Sequence, residues 1–216
     1  MDATTISPPG RREANRQSRR ELILDAAQGS FLSRGYDGTT MSEIAAQLGG
    51  SKGTLWSYFP SKENLFAAVV ERATEEFRKR LTVILNPDDD LETALRRFCE
   101  QFLVRVSSAE AIALHRLVVG ETGRFPELGR IFYERAPRQT HLLLAEFVAG
   151  AQARGLLQGI EPLRAAQQLT WLCMSGSYQM QLTGVIDHIP PEVLAADIDA
   201  AMVTFLRAYG VAGRLA

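Results

Sequence analysis

The stretch GGSKGTLWSYFPSKENLF, residues 49–66, gathers side chains that give and take hydrogen bonds onto a very short segment. Ser51, Lys52, Thr54, Ser57 and Tyr58 stand around Leu55, Trp56 and Phe59, and Gly53 leaves room for close approach. Their chemistry is non-covalent: hydroxyls and an ammonium that read or neutralise a polar, anionic surface. Residues able to do covalent or metal chemistry are scattered by comparison. His115, His141 and His188 are isolated and lack metal-ligand spacing. Cys99 and Cys173 lie in apolar helical patterns, make no CxxC pair and read as small buried hydrophobes. There is no P-loop and no glycine-rich dinucleotide fingerprint. An all-α enzyme is therefore a remote alternative, and no metal or cofactor is expected.

The elements around that stretch read as helical throughout. Residues 1–15 carry Pro8, Pro9 and Gly10 without apolar periodicity, and a disordered arm is expected there. From about Arg16 the apolar positions Ile23, Ala26, Ala27 and Phe31 have helical spacing, and Gly35 ends the helix. Thr40 with Glu43 three residues later is a capping box in front of a short helix bearing Ile44, Ala45 and Leu48. Gly49-Gly50 turns the chain, a second short helix runs to about Phe59, and Pro60 breaks it. A longer helix then carries Phe66, Val70, Phe77 and Leu81, and Asn86-Pro87 is the best domain boundary. Helices follow at about 91–106, 109–122, 126–150, 162–183 and 191–209. The fold class expected is all-α with about nine helices: residues 16–62 form one domain, a helix to about 85 links onward, and 87–216 form a second.

Two short helices joined by a tight glycine turn are the sequence form of a helix-turn-helix. In that motif the second helix enters the DNA major groove, so its outward face must donate and accept hydrogen bonds. Charge distribution agrees in a mild way. The formal net charge is -1, yet residues 1–85 hold twelve basic against ten acidic side chains, including all three lysines and the cluster Arg11, Arg12, Arg16, Arg19 and Arg20. No apolar run reaches the roughly 18–20 residues that span a bilayer, and no secretory signal is read at the N-terminus, so a cytoplasmic protein is expected.

Residues 19–66, with ILDAAQGSFLSRGYDGTTMSEIAAQLGGSKGTLWSYFPSKENLF as the matching stretch, resemble the DNA-binding domain of the TetR/AcrR family of transcriptional regulators. The resemblance implies that Thr40 caps its helix and presents its hydroxyl and N–H to a phosphate. It implies that Lys52, Gly53 and Ser57 face base edges, that Ser51 and Thr54 touch backbone or bases, and that Trp56, Tyr58 and Lys62 clamp phosphates. Leu48, Leu55 and Phe59 would be core. Gly50 stands where a small apolar residue is common, and Trp56 where tyrosine is usual.

The C-terminal part resembles the AefR-like subgroup, through HRLVVGETGRFPELGRIFYERAP at residues 115–137. That implies a sensor and dimer domain. Candidate effector-binding residues are Phe98, Phe102, Leu117, Phe132, Trp171, Met174 and Tyr178, with Arg116 and Glu121 as polar groups that orient a ligand or pair together. Candidate dimer residues are Ser175, Leu194, Ile198, Met202 and Phe205, the alternative being that the stripe packs on its own domain. The expected partners are a double-stranded DNA operator, an apolar or amphipathic small molecule and a second copy of the chain. The reading is a ligand-responsive repressor released from a palindromic operator. The alternative is a protein that has lost DNA readout and acts through protein contacts.

Overall fold

A computed structural model describes residues 10–49 and 52–211. Among these residues there are eleven α-helices and no strand. The chain divides into two compact units, residues 1–69 and 70–216. The division falls inside a helix rather than at the Asn86-Pro87 turn. The physical reason is that Phe77, Leu81 and Leu85 already belong to the hydrophobic core of the second unit.

The first unit holds α1 (Arg11–Arg34), α2 (Met41–Gln47), α3 (Lys52–Tyr58) and the start of α4 (Lys62–Ile84). Helix α1 begins at Arg11, so the arm expected over 1–15 is helical from that residue, and residues 1–9 lie outside the described residues. Its first turns, RREANRQS, are polar apart from Ala14 and fully exposed, and a solvated turn leaves no apolar periodicity to find. Further along, Ile23, Leu24, Ala27 and Phe31 are buried. Phe31, Tyr36 and Phe66 form a mutual aromatic trio with centroids 5.4–5.7 Å apart. Gly35, at φ 77°, carries the chain out of α1 through a left-handed turn that L side chains rarely adopt. Buried Thr39 places its hydroxyl 3.0 Å from the Ser30 carbonyl and 2.7 Å from that of Gly35, which fixes the entry to α2.

The second unit begins in α4 and continues through α5 (Leu91–Val106), α6 (Ala109–Glu121), α7 (Pro126–Arg135), α8 (Pro137–Ala153), α9 (Pro162–Cys173), α10 (Ser177–Thr183) and α11 (Pro191–Tyr209). Two helices expected as continuous are each broken, which accounts for eleven rather than nine. Residues 126–150 split at Ala136, ahead of Pro137, whose ring cannot accept a preceding helical turn. Residues 162–183 split at Met174–Gly176. There the absence of a side chain on Gly176 makes room for the Asp197 carboxylate of α11, which accepts the Ser177 N–H at 3.0 Å and also the Ser177 hydroxyl. A Cβ on residue 176 would overlap that carboxylate. Gly176→Ala is therefore expected to cost about 1–3 kcal/mol in a denaturant titration, the penalty of leaving a buried N–H short of its acceptor. A stability unchanged by the substitution would remove Asp197 from this role.

Candidate nucleic-acid interface

On α3, Leu55 and Phe59 are one turn apart and buried at 2% and 5% exposure, so they anchor the helix from below. Gly53, Thr54, Trp56 and Ser57 are exposed, and Tyr58 is half-buried. Gly53 and Ser57 are also one turn apart and share the outward face. The Ser57 hydroxyl rests on the Thr54 carbonyl at 2.7 Å. Trp56 keeps 40% of its surface exposed, a large indole presented to solvent. Gly50, Ser51 and the Lys52 side chain lie outside the described residues. Leu48, expected as core, is half-buried, and its carbonyl accepts Arg19 at 3.2 Å.

Thr40 is a complete capping box. Its side chain accepts the Glu43 N–H at 3.3 Å, while its own N–H and hydroxyl donate to Glu43 Oε2 at 3.0 and 2.8 Å. Those hydrogen bonds, with Arg34 3.4 Å from the same carboxylate, hold Glu43 below the usual carboxylate range. The groups expected to meet a phosphate at Thr40 are thus engaged by Glu43, and a phosphate there must compete with that carboxylate.

Lys62 differs further from its expected role. Its Nζ donates to the Tyr36 carbonyl at 2.9 Å and the Thr39 carbonyl at 3.1 Å, and stands 4.1 Å from the centre of the Tyr36 ring. It locks the α1–α2 connection onto the first turn of α4. Sequence spacing gave no sign of this, because both acceptors are backbone groups.

In the second unit the expected effector residues divide. Phe98 and Phe102 are stacked with centroids 5.7 Å apart and belong to the core. Leu117, Phe132 and Met174 are half-buried, and Tyr178 is buried. Trp171 is 60% exposed on α9 and lines no interior space. Arg116 does not serve Glu121: its guanidinium donates to the Leu182 and Gln181 carbonyls at 2.9 and 2.6 Å, closing α10. His115, absent from the candidates, joins two of them. Its Nδ1 is 2.7 Å from the Tyr178 hydroxyl, and its ring stacks on Phe132 at 5.7 Å. Burial lowers the His115 pKa and pushes Tyr178 up to about 12, so the pair is neutral near pH 7. His141, also buried, meets the Thr170 hydroxyl at 3.0 Å through Nε2, and its Nδ1 has no hydrogen-bond partner among the described residues.

Burial lowers the pKa of both histidines in the fold, so the unfolded chain binds protons first as pH falls below the ordinary histidine value of about 6.5. Their neutral forms support the fold above that value and lose that support beneath it. Denaturant midpoints are expected to fall between about pH 7 and pH 5, and His141→Gln is expected to flatten the fall. A midpoint that rises over this window would contradict the burial of both rings.

The dimer residues also divide. Ile198, Met202 and Phe205 are buried at 2%, 1% and 0% exposure within their own domain, and Leu194 packs against the same core. Ser175 is exposed, its hydroxyl resting on the Leu172 carbonyl at 2.7 Å. The outward faces of α9 and α11 instead show Trp171, Ser175, Thr204 and Ala208 along a shallow surface hollow of about 490 Å³. Among the described residues no helix is long and apolar enough to cross a membrane.

Comparison with known proteins agrees with this architecture. Residues 23–69 match the family described as bacterial regulatory proteins, tetR family, and residues 93–211 match the AefR-like transcriptional repressor C-terminal domain. The HTH-type transcriptional regulator RutR of Escherichia coli K12 is 29% identical over 153 residues, 71% of this chain. The match spans 64% of the length of that relative. Among solved structures, a TetR-family transcriptional regulator from Mesorhizobium loti is 29% identical with a TM-score of 0.78, covering 91% of this chain and 99% of that one. The flavonoid-responsive regulator FrrA is 32% identical with a TM-score of 0.76, covering 91% of this chain and 100% of that one.

Proposed function

This chain belongs to the TetR family of bacterial transcriptional regulators, and from that premise we propose that it is a dimeric repressor that leaves its operator when a small aromatic molecule binds its C-terminal unit. The observation that carries the DNA-reading half is the outward face of α3, where Gly53, Thr54, Trp56 and Ser57 are exposed over buried Leu55 and Phe59. A helix anchored on one side and hydrogen-bonding on the other fits a major groove. Two copies paired through the outer faces of α9 and α11 would present two such helices to the half-sites of a palindrome.

The effector class is supported by the neutral His115–Tyr178 pair beside Phe132. A ring with a hydroxyl could stack on Phe132 and hydrogen-bond to the imidazole. The similarity to FrrA, a flavonoid-responsive protein, points the same way. Coupling follows from what α7 holds. Phe132 stacks on His115, and Arg135 at the end of α7 grips the Glu71 carboxylate of α4. Arg78 lies 3.5 Å from that carboxylate, and the Thr74 hydroxyl donates to the Arg135 carbonyl at 3.3 Å. Ligand that displaces Phe132 would shift α7 and with it α4, favouring a state that binds DNA less well.

The test is fluorescence anisotropy with DNA from upstream of the protein's own gene, titrated against a scrambled duplex and then with flavonoids and other phenols. Specific binding that a phenol releases is expected. Equal, weak binding to both duplexes would overturn DNA readout in favour of action through protein contacts. Glu71→Gln is expected to keep operator affinity within about two-fold while blunting release, since a coupling of 1–3 kcal/mol is typical and this change touches only the link. Undiminished release in that variant would place the coupling elsewhere.

A further inference from the structure

We propose that Arg12 and Arg16, on the polar first turns of α1, form a second phosphate-binding edge that grips the DNA backbone flanking the base-reading helix; this rests on the DNA-reading function proposed above. The cluster from Arg11 to Arg20 splits by what each residue touches. Arg19 and Arg20 are engaged in the fold: Arg19 donates to the Leu48 carbonyl at 3.2 Å, and Arg20 lies 5.6 Å over the Phe59 ring and 3.6 Å from Glu21. Arg12 and Arg16 are exposed and have no ion-pair partner among the described residues.

Residues 12, 16 and 20 recur one helical turn apart, about 6 Å along the axis. The stripe is therefore anchored at its inner end by Phe59 and projects outward from there. Arg16 places its guanidinium 5.9 Å from the centre of the Tyr58 ring, the last residue of α3. A guanidinium set over a ring uses its face, and its in-plane N–H groups still point away to meet a phosphate. Arg16, Arg20 and Tyr58 share the wall of an open hollow of about 660 Å³ with Glu13, Ala14 and Gln17, room for a stretch of sugar–phosphate backbone. Tyr58 makes this hollow continuous with the exposed face of α3. That continuity favours DNA over an acidic peptide, which would have no reason to meet the same edge. Among the described residues Glu13 is the one acidic residue on the hollow's wall, and it opposes an anion.

The experiment measures operator and scrambled-duplex affinity across salt for the full chain, Arg12→Gln/Arg16→Gln and Glu13→Gln. Arg207→Gln, an exposed residue of α11, controls for net charge. Each phosphate contact contributes about 0.9 to the slope of log affinity against log salt, so the double variant should be shallower by about 1.8 for each copy on the DNA, about 3.6 for the dimer. Its affinity should fall by the same factor on both duplexes, because phosphates carry no sequence. Glu13→Gln should strengthen both. Tyr58→Phe keeps the ring under Arg16 and is not expected to reproduce the loss of slope seen in the double variant. Circular dichroism confirms that the variants keep their helices. An unchanged slope in the double variant, or a change matched by Arg207→Gln, overturns this proposal alone. A parent chain that binds neither duplex overturns the DNA-reading function and this proposal with it.

Discussion

Lys62→Ala is expected to lower the stability of the N-terminal unit by about 2–4 kcal/mol, because it removes two hydrogen bonds made by a charged donor, each worth about 1.5–3 kcal/mol before relaxation. The ammonium lies 2.9 and 3.1 Å from the Tyr36 and Thr39 carbonyls and 4.1 Å from the Tyr36 ring centre. Tyr36 and Thr39 are 1% and 0% exposed, so water does not readily replace the lost donor. The measurement is urea unfolding followed by Trp56 fluorescence in a Trp171→Phe background, where Trp56 is the sole tryptophan. A guanidinium is planar and cannot aim its donors as an ammonium does, so Lys62→Arg should recover only part of the loss. An unchanged midpoint would show that Lys62 contributes its charge outside the fold, at a phosphate. The salt slope of DNA binding, measured cold enough for the variant to stay folded, then separates the two: a phosphate ligand lost would flatten it by about 0.9 for each copy on the DNA.

This contrast shows which contacts a sequence can carry. The Thr40–Glu43 capping box and the Leu55–Phe59 anchor were legible because both partners lie within four residues and have the expected types. Lys62 finds acceptors 23 and 26 residues away, and they are main-chain oxygens that every residue possesses. Arg11 and Arg12 were legible as charge but not as helix, because a solvated turn has no apolar register. Pro137 was visible, yet proline is as acceptable in the first turn of a new helix as it is disruptive inside an old one. The break at Gly176 depends on Asp197 arriving from α11, which no local pattern reports. His115 gained its meaning only when folding brought Phe132 and Tyr178 to it. The stripe Ile198, Met202, Phe205 was legible as a buried face, but periodicity states that a face is covered and never by which chain.

Phe205→Ala makes that last distinction measurable. Phe205 is 0% exposed, packs edge-on to Tyr209 at a centroid separation of 5.2 Å and sits in the core that α11 shares with α5 and α9. Emptying such a site costs about 3–5 kcal/mol, the transfer loss plus the cavity left behind. If the inner stripe is intramolecular, that cost appears as a lower unfolding midpoint in the C-terminal unit, reported by Trp171 in a Trp56→Phe background. The loss should persist at protein concentrations low enough to separate the copies, since mass action does not enter it. Trp171→Glu should do the reverse. Trp171 is 60% exposed, so within a single chain its replacement should change stability by no more than about 0.5 kcal/mol. In a dimer paired through the outer faces of α9 and α11, the same change sets two carboxylates in the seam, and sedimentation should report separated copies. A Phe205→Ala protein that stays fully stable but becomes monomeric would return the inner stripe to the interface. A Trp171→Glu protein that remains dimeric would remove the outer face from it. The two substitutions thus test one helix from opposite sides, and only the intramolecular packing of Phe205 predicts that one unfolds the chain while the other merely separates it.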